Sequence, residues 1–129
     1  LFLVDVALLV FFGGLLQGKH MCFVGPEAQM FFSKIEVDIA FMGASGVRLG
    51  AGFTTSSPLQ YDTKRAIMSA AKKRYVLMDS SKLHSSHLYA FADFSEINAL
   101  ITNVPRNAPE AEEMLHALES AGVTIIRVP

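Results

Sequence analysis

Residues 75–82 read Tyr-Val-Leu-Met-Asp-Ser-Ser-Lys, an apolar run of strand character that stops at a carboxylate, two small hydroxyls and a lysine. A similar junction lies upstream, where residues 37–42 run into Gly43-Ala44-Ser45-Gly46, and a third apolar run ends at Gly13-Gly14. Stretches of helical character separate these runs. Strands that alternate with helices build a layered, mostly parallel α/β sheet. In such sheets ligands bind just beyond the carboxyl ends of the strands. Strand ends furnished with Gly, Ser and Lys suit a small phosphorylated ligand.

The elements follow from local signals. Residues 6–12 and 37–42 read as strands, with a short strand near 21–24. Pro26 opens a helix to about Lys34, with Glu27 favourable beside its N-terminus. Residues 43–58 read as a long Gly/Ser/Thr-rich connection. A helix over 60–73 turns Ala66, Ile67, Ala70 and Ala71 inward. Strands are expected at 75–79, 88–91 and 98–101, with a polar loop at 80–87. The last helix covers 109–121, opened by Pro109 and with Met114, Leu115 and Leu118 on its apolar stripe. Gly122 stops it, and 123–128 form the final strand.

At 129 residues, with no linker or internal repeat, the chain is expected to be one domain, 1–129. Eleven basic residues against twelve acidic ones give a net charge of −1, which argues against a surface built to hold nucleic-acid backbone. Cys22 is the only cysteine, so a reducing, cytoplasmic setting fits. Residues 1–16 are apolar, but Asp5 and Gly13-Gly14 interrupt them, the run is too short to span a bilayer, and no basic region precedes it. A buried parallel strand is expected there instead of a membrane segment. A start without Met, inside an apolar run, leads to the expectation that the chain is a fragment.

Each candidate residue has a plain structural reading beside a functional one. Gly13-Gly14 and Gly43 to Gly46 serve either as turns or as places where backbone N–H groups approach an anion closely. Neither the GxGxxG fingerprint nor the GxxxxGK[ST] phosphate loop is present. Lys82 is either a solvated loop lysine or a point charge for a phosphate. Asp79 caps a turn or holds a sugar hydroxyl. His84 and His87 have HxxH spacing, yet no helix aligns them and no acidic partner accompanies them, so no metal and no cofactor is expected. The Phe11-Phe12 and Phe31-Phe32 pairs read as core or as an oligomer interface.

Taken in order, Asp38 to Gly46, Gly52 to Thr55, Asp62 to Met68, Asp79 to Lys82 and Leu100 to Asn103 resemble the C-terminal effector-binding domain of DeoR-type bacterial transcriptional regulators. Gly13-Gly14 and Phe23 to Pro26 match two further blocks of that family. The resemblance implies the ribose-5-phosphate isomerase-like α/β fold and a phosphorylated-sugar effector. It also implies a homo-oligomer, and contact with operator DNA only through a helix-turn-helix not present in this sequence. The implied ligand residues are Gly13, Gly14, Gly43, Gly46 and Lys82, with Asp79 and Lys64 as further candidates. The alternative is a sugar-phosphate isomerase. Such an enzyme needs carboxylates to move a proton between adjacent carbons, and here Met42 to Ser45 and Thr63 stand where the isomerase pattern carries them.

Overall fold

The computed structural model describes residues 15–17 and 22–129. The strand expected over 6–12 lies outside the described residues, as do Gly13 and Gly14. In chain order the elements are β1 (Leu15–Gln17), β2 (Cys22–Val24), α1 (Pro26–Ser33), β3 (Val37–Gly43), β4 (Gly46–Arg48) and β5 (Gly52–Thr55). They continue with α2 (Pro58–Ala70), β6 (Ala71–Leu77), β7 (Tyr89–Ala92), β8 (Ala99–Asn103), α3 (Pro109–Ser120) and β9 (Ile125–Val128). Short 3-10 turns cover Ser80–Lys82 and Phe94–Glu96.

The main sheet has strand order β3-β6-β8-β9, every pair parallel. One face carries Met42, Val76 and Leu100, beside buried Ala40. Met42, Val76 and Leu100 pack with Met68 of α2 and Ala111, Leu115 and Leu118 of α3 in a single core. The expected layered α/β architecture is therefore present. A three-stranded antiparallel sheet, β4-β5-β7, flanks the main sheet, and β1 pairs with β2.

Each helix begins with a proline in its first turn, where no N–H is needed. Ser57 caps α2 by accepting the Gln60 N–H at 3.3 Å. α3 closes as expected: Gly122 takes φ 96°, and the Val123 N–H returns to the Leu118 carbonyl at 3.0 Å.

The boundary between α2 and β6 differs from the sequence reading by several residues. The helix expected over 60–73 stops at Ala70, and the strand expected at 75–79 already begins at Ala71. Ala71 is extended because it pairs with Val37 of β3, and the Met68 carbonyl at the helix end accepts the Arg74 Nε–H at 2.9 Å. Long-range pairing here overrides the helix preference of Ala-Ala-Lys-Lys. The inward face of α2 is Thr63, Met68 and Ala70, with Ala66 and Ile67 partly buried. The connection expected over 43–58 contains the β4–β5 hairpin, with β5 entirely buried.

Candidate functional site

Because β3, β6 and β8 run parallel, their carboxyl ends lie along one edge of the sheet. Gly43 pairs with Leu77, and Leu77 with Ile101. Beyond Leu77 the chain stays tied to β8 through the Met78 N–H, which donates to the Ile101 carbonyl at 3.1 Å. It then reaches Asp79 and the Ser80–Lys82 turn. Buried Leu83 anchors that turn from below, so Ser81 and Lys82 are held at the surface. The side-chain amide oxygen of Asn103, at the end of β8, accepts the Ser80 N–H at 3.1 Å. Thus the ends of β6 and β8 are cross-linked.

The Asp79 carboxylate accepts the Ser81 hydroxyl at 2.5 Å. That bond is the main reason its pKa lies below the ordinary carboxylate value. The Ser80 and Ser81 N–H groups and Asn103 add to the effect, against a partial loss of hydration. Asp79 is exposed and ionised, with the orientation of its oxygens set by its neighbours.

Lys64 reaches the same edge from α2. Its Nζ donates to the Gly43 carbonyl at 2.7 Å and lies 5.1 Å from the centre of the Phe91 ring. A cation therefore stands at the end of β3, one strand from Asp79. Around Gly43 the space is open, so an approaching group meets no protein atom where a Cβ would be. Gly46, expected to line a ligand pocket, has a different place. It starts β4, and a Cβ there would collide with the backbone of Ser85. The protein's own 84–87 segment fills the space on that side of Gly46. That segment is held by the Val47 N–H to the Ser85 carbonyl at 2.8 Å, Arg48 to the His87 carbonyl at 2.8 Å, and the His87 N–H to Thr54 Oγ1 at 3.1 Å.

An open cleft of about 460 Å³, lined by Ser80, Ser81, His84, Asn107 and Glu110 among others, lies on the β8 side of the Asp79–Lys82 turn. A groove of about 710 Å³ adjoins it against Arg127 and Val128. Neither is lined by Lys64, Asp79 or Lys82. His84 is exposed, and no group of three or more metal-ligating side chains is gathered among the described residues. No described helix is long and apolar enough to cross a membrane.

Asn103 and the Arg65–Glu96 pair were not singled out from the sequence. Arg65 donates to both Glu96 oxygens, at 2.9 and 3.0 Å, and to the Phe91 carbonyl at 2.9 Å. Arg74 donates to the Glu96 carbonyl at 2.9 Å. Burial pushes the Glu96 pKa up, but the Asp93 N–H and Arg65 prevail and hold it below the ordinary value. This cluster clamps α2 to β7 and the Phe94–Glu96 turn. Its only sequence signal is opposite charges 31 positions apart, and such a separation carries no structural information until the chain is folded.

The fold defines a parallel α/β domain with polar groups gathered at its carboxyl edge, where this architecture takes ligands. Residues 5–104 match the family model described as the DeoR C terminal sensor domain, and the chain belongs to that family. Among relatives, it is 34% identical over 97 residues to the HTH-type transcriptional regulator IolR of Bacillus subtilis (strain 168), covering 75% of this chain and 39% of that protein. It is 32% identical over 114 residues to the HTH-type transcriptional regulator GlpR of Haloferax volcanii, covering 88% and 43%. It is 28% identical over 116 residues to a putative aga operon transcriptional repressor of Escherichia coli O157:H7, covering 90% and 42%. The chain thus spans about two-fifths of the length of these relatives.

Proposed function

We propose that this domain is the effector sensor of a cytoplasmic DeoR-type transcriptional regulator and binds a phosphorylated sugar at the carboxyl edge of β3, β6 and β8. The observation that carries the reading is the row of groups at adjacent strand ends: Lys64 at Gly43, then Asp79 to Lys82, then Asn103. Lys82 supplies the point charge for the phosphate and Lys64 a second cation, while the fixed Asp79 carboxylate accepts sugar hydroxyls. Gly13 and Gly14 belong to the same proposal. The role is sensing, without catalysis. Where an isomerase would carry its base, buried Thr63 spends its hydroxyl on the Leu59 carbonyl at 3.0 Å. The ligand acts by favouring one conformation or assembly of a homo-oligomer whose DNA contacts are made by other domains of the regulator.

A thermal-shift screen of phosphorylated and unphosphorylated sugars tests this. A ligand at a hundredfold excess over Kd stabilises the native state by about 2.7 kcal/mol, enough to raise Tm by several degrees. At least one phosphorylated sugar should give such a shift, its unphosphorylated counterpart none. Lys82→Met should abolish the shift while leaving the ligand-free Tm within a degree or so. An equal response to the neutral sugar, or an unaltered response in the variant, refutes the reading.

A further inference from the structure

An aspartate just before a helical turn is among the residues that cap it most readily, by accepting N–H groups of the turn on its carboxylate. Asp79 holds that position, with extended backbone at φ −67° and ψ 145°, yet its side chain makes no cap hydrogen bond. The Ser80 N–H goes instead to the amide oxygen of Asn103 at 3.1 Å, on the neighbouring strand. Backbone alone closes the turn, with the Lys82 N–H on the Asp79 carbonyl at 2.9 Å and the Leu83 N–H on the Ser80 carbonyl at 3.2 Å. The Asp79 carboxylate is thereby released from capping and takes the Ser81 hydroxyl. An amide has one accepting end and one donating end. With its oxygen spent on Ser80, Asn103 has its NH2 left for the Asp79 carboxylate, whose charge it helps to hold. Both side chains are exposed, so this pair stands open at the carboxyl edge.

We propose that Asn103 is a positioning residue of the ligand edge, which presents the Asp79 carboxylate to the hydroxyl groups of a bound sugar. The proposal rests on the reading of that edge as a sugar-phosphate site. What matters is that residue 103 is an amide. An aspartate there has nearly the same shape and accepts the Ser80 N–H equally well. It also sets a second negative charge against Asp79, and two carboxylates in one place hold a shared proton more tightly. A protonated carboxyl spends its donor on its neighbour and accepts sugar hydroxyls more weakly. Charged groups on the surrounding elements do not take this part. Lys82 on the same turn, His84 beyond it, Lys64 of α2 and Glu110 of α3 are not among the groups that lower the Asp79 pKa. Hydrogen bonds from Ser81, Ser80 and Asn103 lower it, against partial loss of hydration.

Carbon-detected NMR of the side-chain carboxyls, with Asp79→Asn to assign the resonance, reads the Asp79 titration in the ligand-free chain. Wild type should titrate below the ordinary aspartate value of 3.8. In Asn103→Asp the Ser80 N–H keeps an acceptor and the fold survives, but the paired carboxyls should show one step above that value. A cross-link with no other role predicts a wild-type titration there instead. Asn103→Ala should lower Tm by a few degrees and bring Asp79 up toward 3.8, and it carries the test if Asn103→Asp fails to fold. Thermal-shift titrations with ribose 5-phosphate, fructose 1-phosphate and glucose 6-phosphate at pH 7.5 and pH 5 read the consequence. Whichever of these wild type binds, Asn103→Asp should bind roughly tenfold more weakly at pH 7.5, with a smaller deficit at pH 5. An Asp79 titration unmoved by either variant overturns the role of Asn103, as does wild-type affinity in Asn103→Asp at both pH values. If none of the three sugars shifts wild type, the sugar-phosphate reading of the edge fails, while the titration alone still decides whether Asn103 holds Asp79.

Discussion

Gly46 and Gly43 stand three residues apart and look equivalent in the sequence, yet substituting alanine should affect them in opposite ways. A Cβ on Gly46 meets the backbone carbonyl of Ser85, and backbone cannot swing aside as a side-chain tip does. Relief requires the 84–87 segment to move off β4, which also breaks the 2.8 Å bond from the Val47 N–H to the Ser85 carbonyl. Overpacking of this kind costs about 1–3 kcal/mol and the lost hydrogen bond about 1 kcal/mol, so Gly46→Ala should destabilise the domain by about 2–4 kcal/mol. In a domain of this size that lowers Tm by roughly 6–16 °C. At Gly43 nothing stands where the Cβ would go, and its φ is not positive. Gly43→Ala should therefore stay within about 0.5 kcal/mol of wild type, or gain slightly from a less flexible unfolded chain. Differential scanning calorimetry of both variants, without ligand, measures this directly. A Gly46→Ala protein that melts within 2 °C of wild type would refute the packing account and return Gly46 to the ligand edge.

Leu115, fully buried between α3 and the sheet, should cost about 2–5 kcal/mol when cut to alanine, read as a lower urea midpoint with an unchanged slope. Arg65→Met removes a half-exposed partner of Glu96 and the donor to the Phe91 carbonyl, so about 1 kcal/mol should be lost at pH 7. Because the folded-state pKa of Glu96 is lowered, its contribution is present above the ordinary glutamate value of 4.5 and fades as pH falls through the lowered one. The gap between wild type and Arg65→Met in urea titrations should accordingly narrow from pH 7 to pH 3. A gap that widens on acidification would contradict the assignment.

Signals confined to a few neighbouring residues were legible before folding. Pro26 and Pro109 mark the starts of α1 and α3, Gly122 marks the end of α3, and Leu115 and Leu118 mark its buried stripe. The apolar runs at 37–42 and 75–78, each ending in small polar residues, were enough to imply a parallel α/β sheet and to place Asp79 and Lys82 at its carboxyl edge. What depends on residues distant in sequence had to wait for tertiary structure. Ala71 leaves the helix only because Val37 is there to pair with it, and β4 and β5 are too short to be seen without each other. Lys64 reaches Gly43 across 21 positions, Asn103 reaches Ser80 across 23, and Ser85 occupies the space over Gly46. Composition shows that apolar residues are plentiful. Only the register of four paired strands shows that one face packs on α2 and α3 while Ile39, Phe41 and Leu77 share the other, where they stand exposed among the described residues. Periodicity records which residues of one element share a side, and the pairing between elements decides what lies opposite them.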